Sequence, residues 1–157
     1  MRTVWRVLRW PLLVLVVVFV AIQFVPYGWK HSNPPVTQDA PWPDAESAHL
    51  ARVACYDCHS NEIDWPAYTY VAPFSWLTRH DVEDGRDKLN FSEWDREQDK
   101  ADKAGRVVRD GSMPPDQYVL IHRDADLSDA EKQQLIAALD AMNAGGGDNR
   151  GRGSGED

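Results

Sequence analysis

Apolar and polar positions divide the chain into unlike parts. From Val4 to Trp29 only Arg6, Arg9, Gln23 and Gly28 interrupt the apolar residues, and the uncharged run extends from Trp10 to Tyr27. A run of that length is close to what a helix needs to cross about 30 Å of hydrocarbon, so the pattern predicts one transmembrane helix within residues 1–30. Pro11 falls in its expected first turn, where a missing N–H costs little. Trp5, Trp10, Tyr27 and Trp29 stand near its ends, as interfacial aromatics do, and Arg2, Arg6 and Arg9 precede it. By the positive-inside rule the N-terminus is then cytoplasmic, in a single-pass arrangement across the cytoplasmic membrane with the body outside, in the periplasm or its equivalent. A cleaved signal peptide is the rival reading. The basic start fits it, but no Ala-x-Ala site follows the run, and Val20-Ala21-Ile22 is a poor substitute. Under either reading the body is extracytoplasmic.

Beyond the head the pattern changes. Residues 31–43 hold Pro34, Pro35, Pro41 and Pro43 with few apolar side chains, which reads as a stiff spacer. Residues 144–157 are rich in glycine and cannot bury a core, so a disordered tail is expected there. The folded unit is then residues 44–143. Within it Asp44 can cap a helix through Leu50 and Val53 to Cys55. A second helix is expected over Phe74 to Gly85, with Trp76, Leu77 and His80 on related faces. Ser92 can cap a third, through Trp94 and Ala104 to Asp110, with Gly111 as its stop. Ser128 and Glu131 form a capping box for a last helix. Its residues Leu135, Ile136, Leu139 and Met142 recur at helical spacing, and Gly145 ends it. The stretch Asn61 to Pro73, rich in aromatics and proline, reads as an ordered loop. No useful length alternates with period two, so the expected fold class is all-α. The core is small for a domain of this size, and such domains usually need a staple or a cofactor.

Composition narrows the function. The chain has 157 residues and a formal charge of −8, but the first thirty positions hold four basic residues and no acidic one. The remainder therefore carries 13 basic residues against 25 acidic ones. An acidic body argues against nucleic-acid binding. Two cysteines exclude a disulfide-dense scaffold.

Those cysteines stand in Cys55-Tyr56-Asp57-Cys58-His59, a C-x-x-C-H sequence. Two thiols three positions apart at a helix end can reach the two vinyl groups of one haem and form thioethers, with the next residue, His59, as axial iron ligand. A redox-active C-x-x-C calls for a strand-to-helix setting that is missing here. Zinc needs four ligands, and no second close pair exists. A plain disulfide gives His59 no role. The distal ligand is open to more than one reading. Met113, in Gly111-Ser112-Met113-Pro114-Pro115, is held in extended backbone by the prolines, and soft sulfur opposite histidine raises the iron potential and suits electron transfer. His80 is the alternative and gives a bis-histidine site. Met142 reads as core. His122, after the Met113 loop, can cap a helix or bond a propionate, His49 reads as solvated, and His31 has no assigned role. Trp76 belongs with Trp65, Tyr68, Tyr70, Phe74, Phe91 and Trp94 to an aromatic set that suits a flat apolar cofactor as well as an ordinary core. Arg79 and Arg86 can pair with haem propionates.

In order, the chain shows Cys55-Tyr-Asp-Cys-His-Ser-Asn-Glu62, Trp65-Pro66, Tyr68, Ala72-Pro73, Ser75-Trp76-Leu77, Gly85-Arg86 and Leu89-Asn90-Phe91-Ser92-Glu93-Trp94. It continues as Met113-Pro114-Pro115, Tyr118, His122, Leu127-Ser128 and Glu131-Lys132. From Pro34 to Met142 this resembles the small membrane-anchored haem-binding domain family of cytochrome c type. The resemblance implies a mono-haem, cytochrome-c-like helical domain around one covalent haem c, behind an N-terminal anchor. It implies haem attachment by Cys55 and Cys58 and iron ligation by His59; Met113 follows by analogy with ordinary cytochromes c. The expected function is single-electron transfer outside the cytoplasmic membrane, as a free carrier or as a subunit of a respiratory or photosynthetic complex. The partner is then a redox protein or membrane complex with a basic docking face. A haem-based sensor or accessory subunit with an exchangeable distal ligand is the alternative. An enzyme is not expected, because no acid–base set can be placed beside an open iron.

Overall fold

The N-terminal apolar run becomes helical, but not in the way its length suggests. The computed structural model describes residues 2–148, with side chains over 9–144. Helix α1 spans Arg2–Ile22 and begins well before the uncharged run, so Pro11 lies in its interior rather than its first turn. After Arg9 only Trp10–Ile22 remains helical, about 20 Å at 1.5 Å per residue, against the roughly 30 Å of a hydrocarbon core. Among the described residues no helix is long and apolar enough to cross a membrane. The expected transmembrane helix is therefore corrected: its basic half is part of the same helix, and its last residues leave it. Gln23 ends the helix by donating its side-chain amide to the Ala72 carbonyl (3.1 Å) and accepting from the Ala72 N–H (3.0 Å).

Two compact units make up the chain, one of residues 1–32 with 65–81 and one of 33–64 with 82 onward. In the first unit the segment after α1 turns at Gly28, whose φ of +88° favours glycine. A Cβ there would lie 2.7 Å from the Ser75 carbonyl carbon. His31 is a fixed part of this unit: Nε2 lies 2.9 Å from the Thr69 carbonyl, and the ring stacks on Tyr70 at 3.9 Å. Helix α4 (Phe74–Lys88) starts here.

The second unit is built around the motif. Asp44 caps α2 (Ala45–Ala54) as expected, accepting from the Ser47 N–H at 2.7 Å. The one-turn helix α3 (Tyr56–His59) follows directly. Residues 92–103 do not form the expected third helix. Ser92 is buried and spends its groups on neighbours: Oγ accepts from the Asn61 N–H and its carbonyl from the N–H groups of Thr37 and Gln38. A residue so engaged cannot cap, and the helix starts only at α5 (Ala104–Arg109). The expected spacer is likewise pinned, for Ala40 is buried and donates to the Phe91 carbonyl at 2.8 Å. An isolated parallel bridge joins Gln38 and Glu93, and no strand occurs among the described residues, as an all-α class requires.

Helix α6 (Asp116–Ile121) follows the Met113 loop. The Ser128–Glu131 box opens α7 (Asp129–Asp148), with the Ser128 N–H donating to Glu131 Oε2 at 2.7 Å. Gly145 does not end this helix. Of the expected tail, residues 149–157 lie outside the described residues. Helix α7 packs on α5 and α2, and Leu50, Ala51, Tyr56, Phe91, Val108, Leu135, Leu139 and Met142 are buried in one core.

Candidate functional site

The C-x-x-C-H segment sits where one helix hands over to another. Cys55 closes α2 by donating its N–H to the Ala51 carbonyl (2.8 Å), and its own carbonyl accepts from the N–H of Cys58 (3.1 Å) and of His59 (2.9 Å). The three residues of chemical interest are thus held within one turn. Cys55 and Cys58 are half-buried thiols, not joined to one another. Burial pushes the Cys55 thiol up to about 12, so it is protonated and uncharged at neutral pH. Metal-binding and redox-active cysteines show the opposite, a lowered thiol pKa.

Between the cysteines, Tyr56 turns inward. Its hydroxyl donates to Asp39 (3.0 Å) and accepts from the Trp42 indole (3.0 Å), and its ring stacks on Phe91 at 5.5 Å. Phe91, 1 % exposed, is the hub of this side: it also meets Trp42, Trp94 and, edge-on at 6.4 Å, His59.

His59 has the most determined surroundings. Its Nδ1 lies 3.0 Å from the Gly85 carbonyl and 3.0 Å from the Leu89 carbonyl, the end of α4. Carbonyls only accept, so Nδ1 carries the proton and Nε2 keeps the lone pair. Burial holds the imidazole pKa below its ordinary value, against the two backbone bonds, so the ring is neutral. A neutral imidazole oriented through its other nitrogen is the usual state of a metal-ligating histidine. Gly85 also explains its own identity. A Cβ there would collide with the Cys58 carbonyl oxygen and sit 3.0 Å from its carbon, so the end of α4 approaches the motif as only glycine allows.

The backbone after His59 is fastened by a buried polar network. The Phe91 N–H donates to the His59 carbonyl (2.7 Å), and the Asn90 side-chain amide donates to Asn61 Oδ1 (2.9 Å). The Asn61 amide reaches Glu93 (2.8 Å) and the Pro35 carbonyl (3.1 Å). Arg86 donates to the Ser60 carbonyl at 2.7 Å, so it holds the motif backbone.

The expected distal residues fall in different places. Met113 is 37 % exposed, and its N–H and that of Ser112 both donate to the Val107 carbonyl (3.1 and 3.0 Å). Just beyond it, Tyr118 on α6 donates to Asp57 of the motif at 2.8 Å. His122 stacks on Tyr118 at 4.1 Å, and its Nδ1 is 3.9 Å from Asp57. His80, Arg79 and Trp76 belong to the first unit. His80 is exposed, Arg79 reaches the Lys30 carbonyl (3.3 Å), and the Trp76 indole N–H is buried without an acceptor among the described residues.

Two thiols three apart, that of Cys55 protonated, a neutral histidine with a directed lone pair, and a thioether on an adjoining loop are a donor set that fits a haem. Among the described residues no group of three or more His, Cys, Asp or Glu side chains could hold a bare metal ion. The Gly85 and Leu89 carbonyls, the asparagine network and the Tyr118–Asp57 bond are not evident from the motif itself. Asn61, Gly85, Asn90, Ser92 and Tyr118 recur in the wider pattern, but that pattern does not say what they touch.

The family model of a haem-binding domain matches residues 17–141. No curated protein and no solved structure matches the chain.

Proposed function

Since the chain belongs to the haem-binding domain family, we propose that it is a mono-haem c-type cytochrome carrying single electrons outside the cytoplasmic membrane. Cys55 and Cys58 hold the haem through two thioethers, His59 Nε2 is the proximal ligand and Met113 the distal one. The iron, when bound, supplies a one-electron couple whose potential a thioether ligand raises. The observation that carries the reading is the two-carbonyl grip on His59 Nδ1, which fixes the tautomer and turns Nε2 into the available donor.

The chain's own groups then do three things. The protonated, half-buried Cys55 thiol stays out of metal and disulfide chemistry. Gly85 and Leu89 orient the imidazole and raise its basicity toward a metal. Phe91, which meets the His59 ring edge-on, is backed by Tyr56 and Trp94, and an apolar surround lowers the local dielectric that helps set the potential. The acidic body favours a partner with a basic face, and association then slows as salt rises.

The distal ligand is tested by Met113→Ala in the haem-loaded protein. The oxidised wild type is expected to show the far-red band of iron–thioether coordination and to bind carbon monoxide poorly when reduced. The variant is expected to lose the band and bind readily. An unchanged band removes Met113 from the role. Ready carbon monoxide binding by the wild type at neutral pH favours a sensor with an exchangeable ligand.

A further inference from the structure

The loop that carries Met113 is fastened on both sides, and the second fastening runs to the haem motif itself. On the N-terminal side the Ser112 and Met113 N–H groups converge on the Val107 carbonyl at the end of α5. On the C-terminal side Pro115 leads into α6, and the Tyr118 hydroxyl donates to Asp57 Oδ2 at 2.8 Å, with the Val53 carbonyl 3.4 Å away. Asp57 stands between the two cysteines, 61 positions earlier in the chain. Its carboxylate oxygen is also approached by His122 Nδ1 at 3.9 Å, and the Tyr118 and His122 rings lie 4.1 Å apart and 6° from parallel. Apart from Tyr118 the exposed face of α6 has little to hold it, for Leu120 and Ile121 are 66 % and 54 % exposed. A six-residue helix is too short to be stable alone. Packing on the turn at residues 123–125 and of the Tyr118 ring against the core also holds α6, and the Tyr118–Asp57 bond ties it to the motif.

We propose that Tyr118 and Asp57 are positioning residues that clamp the Met113 loop to the C-x-x-C-H segment, with His122 as the stacking support that fixes the phenol. This rests on the reading of Met113 as distal ligand in what it means for function, but the clamp is a property of α6 and the motif. A charge-assisted bond between partly buried groups is stronger than a neutral one, and it joins the proximal motif and the distal loop in one mechanical unit. With the loop so held, Met113 would keep its place toward a bound iron in either charge state.

The test compares the haem-loaded full chain with Tyr118→Phe, which keeps the ring and its stacking, and with Asp57→Ala and Asp57→Asn. Hydrogen–deuterium exchange over 112–121 is expected to quicken about tenfold in Tyr118→Phe, as loss of one hydrogen bond to a charged group implies, with 129–142 unchanged. Carbon monoxide is expected to bind the reduced variant faster. Asp57→Ala should behave alike, and Asp57→Asn, whose amide oxygen still accepts but without the charge, should fall between Asp57→Ala and the wild type. Wild-type exchange over 112–121 in Tyr118→Phe would overturn the clamp, whatever Asp57→Ala does to folding. The two readings fail separately. Quickened exchange together with a band that survives Met113→Ala keeps the clamp and removes the ligand. Unchanged exchange with a band lost in Met113→Ala keeps the ligand and removes the clamp.

Discussion

Gly85 shows how much a single position decides. Its carbonyl receives the His59 proton, and its missing side chain lets Cys58 approach. Gly85→Ala is expected to cost about 1–3 kcal/mol, as overpacking a tight contact does, read by guanidinium denaturation, and to lower the fraction of chains carrying haem. The sequence alone placed a helix end at this glycine, whereas α4 continues to Lys88: a glycine near a helix terminus has the same signature whether it stops the chain or admits a neighbour. Carboxylates at helix starts were easier to read. Asp44 is held below its ordinary 3.8 by the Ser47 N–H, and Glu131 below 4.5 by Ser128. Glu93, which the caps do not involve, is held below 4.5 by Asn61. Groups with depressed folded pKa values stabilise the fold above their ordinary values, and that stability disappears as pH falls through the folded ones. Neutral His59 acts in the same direction below its ordinary 6.5, so thermal midpoints are expected to slip as pH drops from about 6.5 and to fall further below about pH 4. Ser128→Ala should make that fall shallower, and a Ser128→Ala profile parallel to the wild type would remove Glu131 from it.

At the scale of elements, the helices with strong local signals formed and the one without a free cap did not. Helix α2 has Asp44, α7 has its capping box and an apolar stripe, and both stand within a residue of their expected starts. The third expected helix failed because Ser92 serves a network assembled from residues about thirty positions apart, which no local pattern encodes. The same network holds the supposed spacer, whose prolines suit extended backbone but do not reveal the partner segment at 91–94. Phe91 is the apolar counterpart, meeting Tyr56, Trp42, Trp94 and His59 at once. Phe91→Ala is expected to cost about 3–5 kcal/mol, in line with aromatic truncation in cores, measured by denaturant unfolding. A loss under about 1 kcal/mol would mean that the residue is not the hub its contacts indicate.

For the whole molecule, residue counts and one five-residue motif carried most of the functional reading, and periodicity carried the all-α class. Hydropathy misled at the N-terminus, because a window of apolar residues says nothing about where the helix begins and ends. Residues Arg2 to Arg9 join α1, and Gln23 leaves it for Ala72. The motif was legible because its five residues are contiguous, while its supports come from α4, α6 and the 90–93 segment and depend on the fold. The central claim is one haem bound to this chain through both Cys55 and Cys58. Intact mass determination of the purified chain after acid–organic extraction tests it most directly. The expected result is a chain heavier than its sequence by one haem, with the colour retained in the protein and lost from Cys55→Ala/Cys58→Ala. A colourless chain of bare sequence mass, with all pigment in the organic phase, would contradict it.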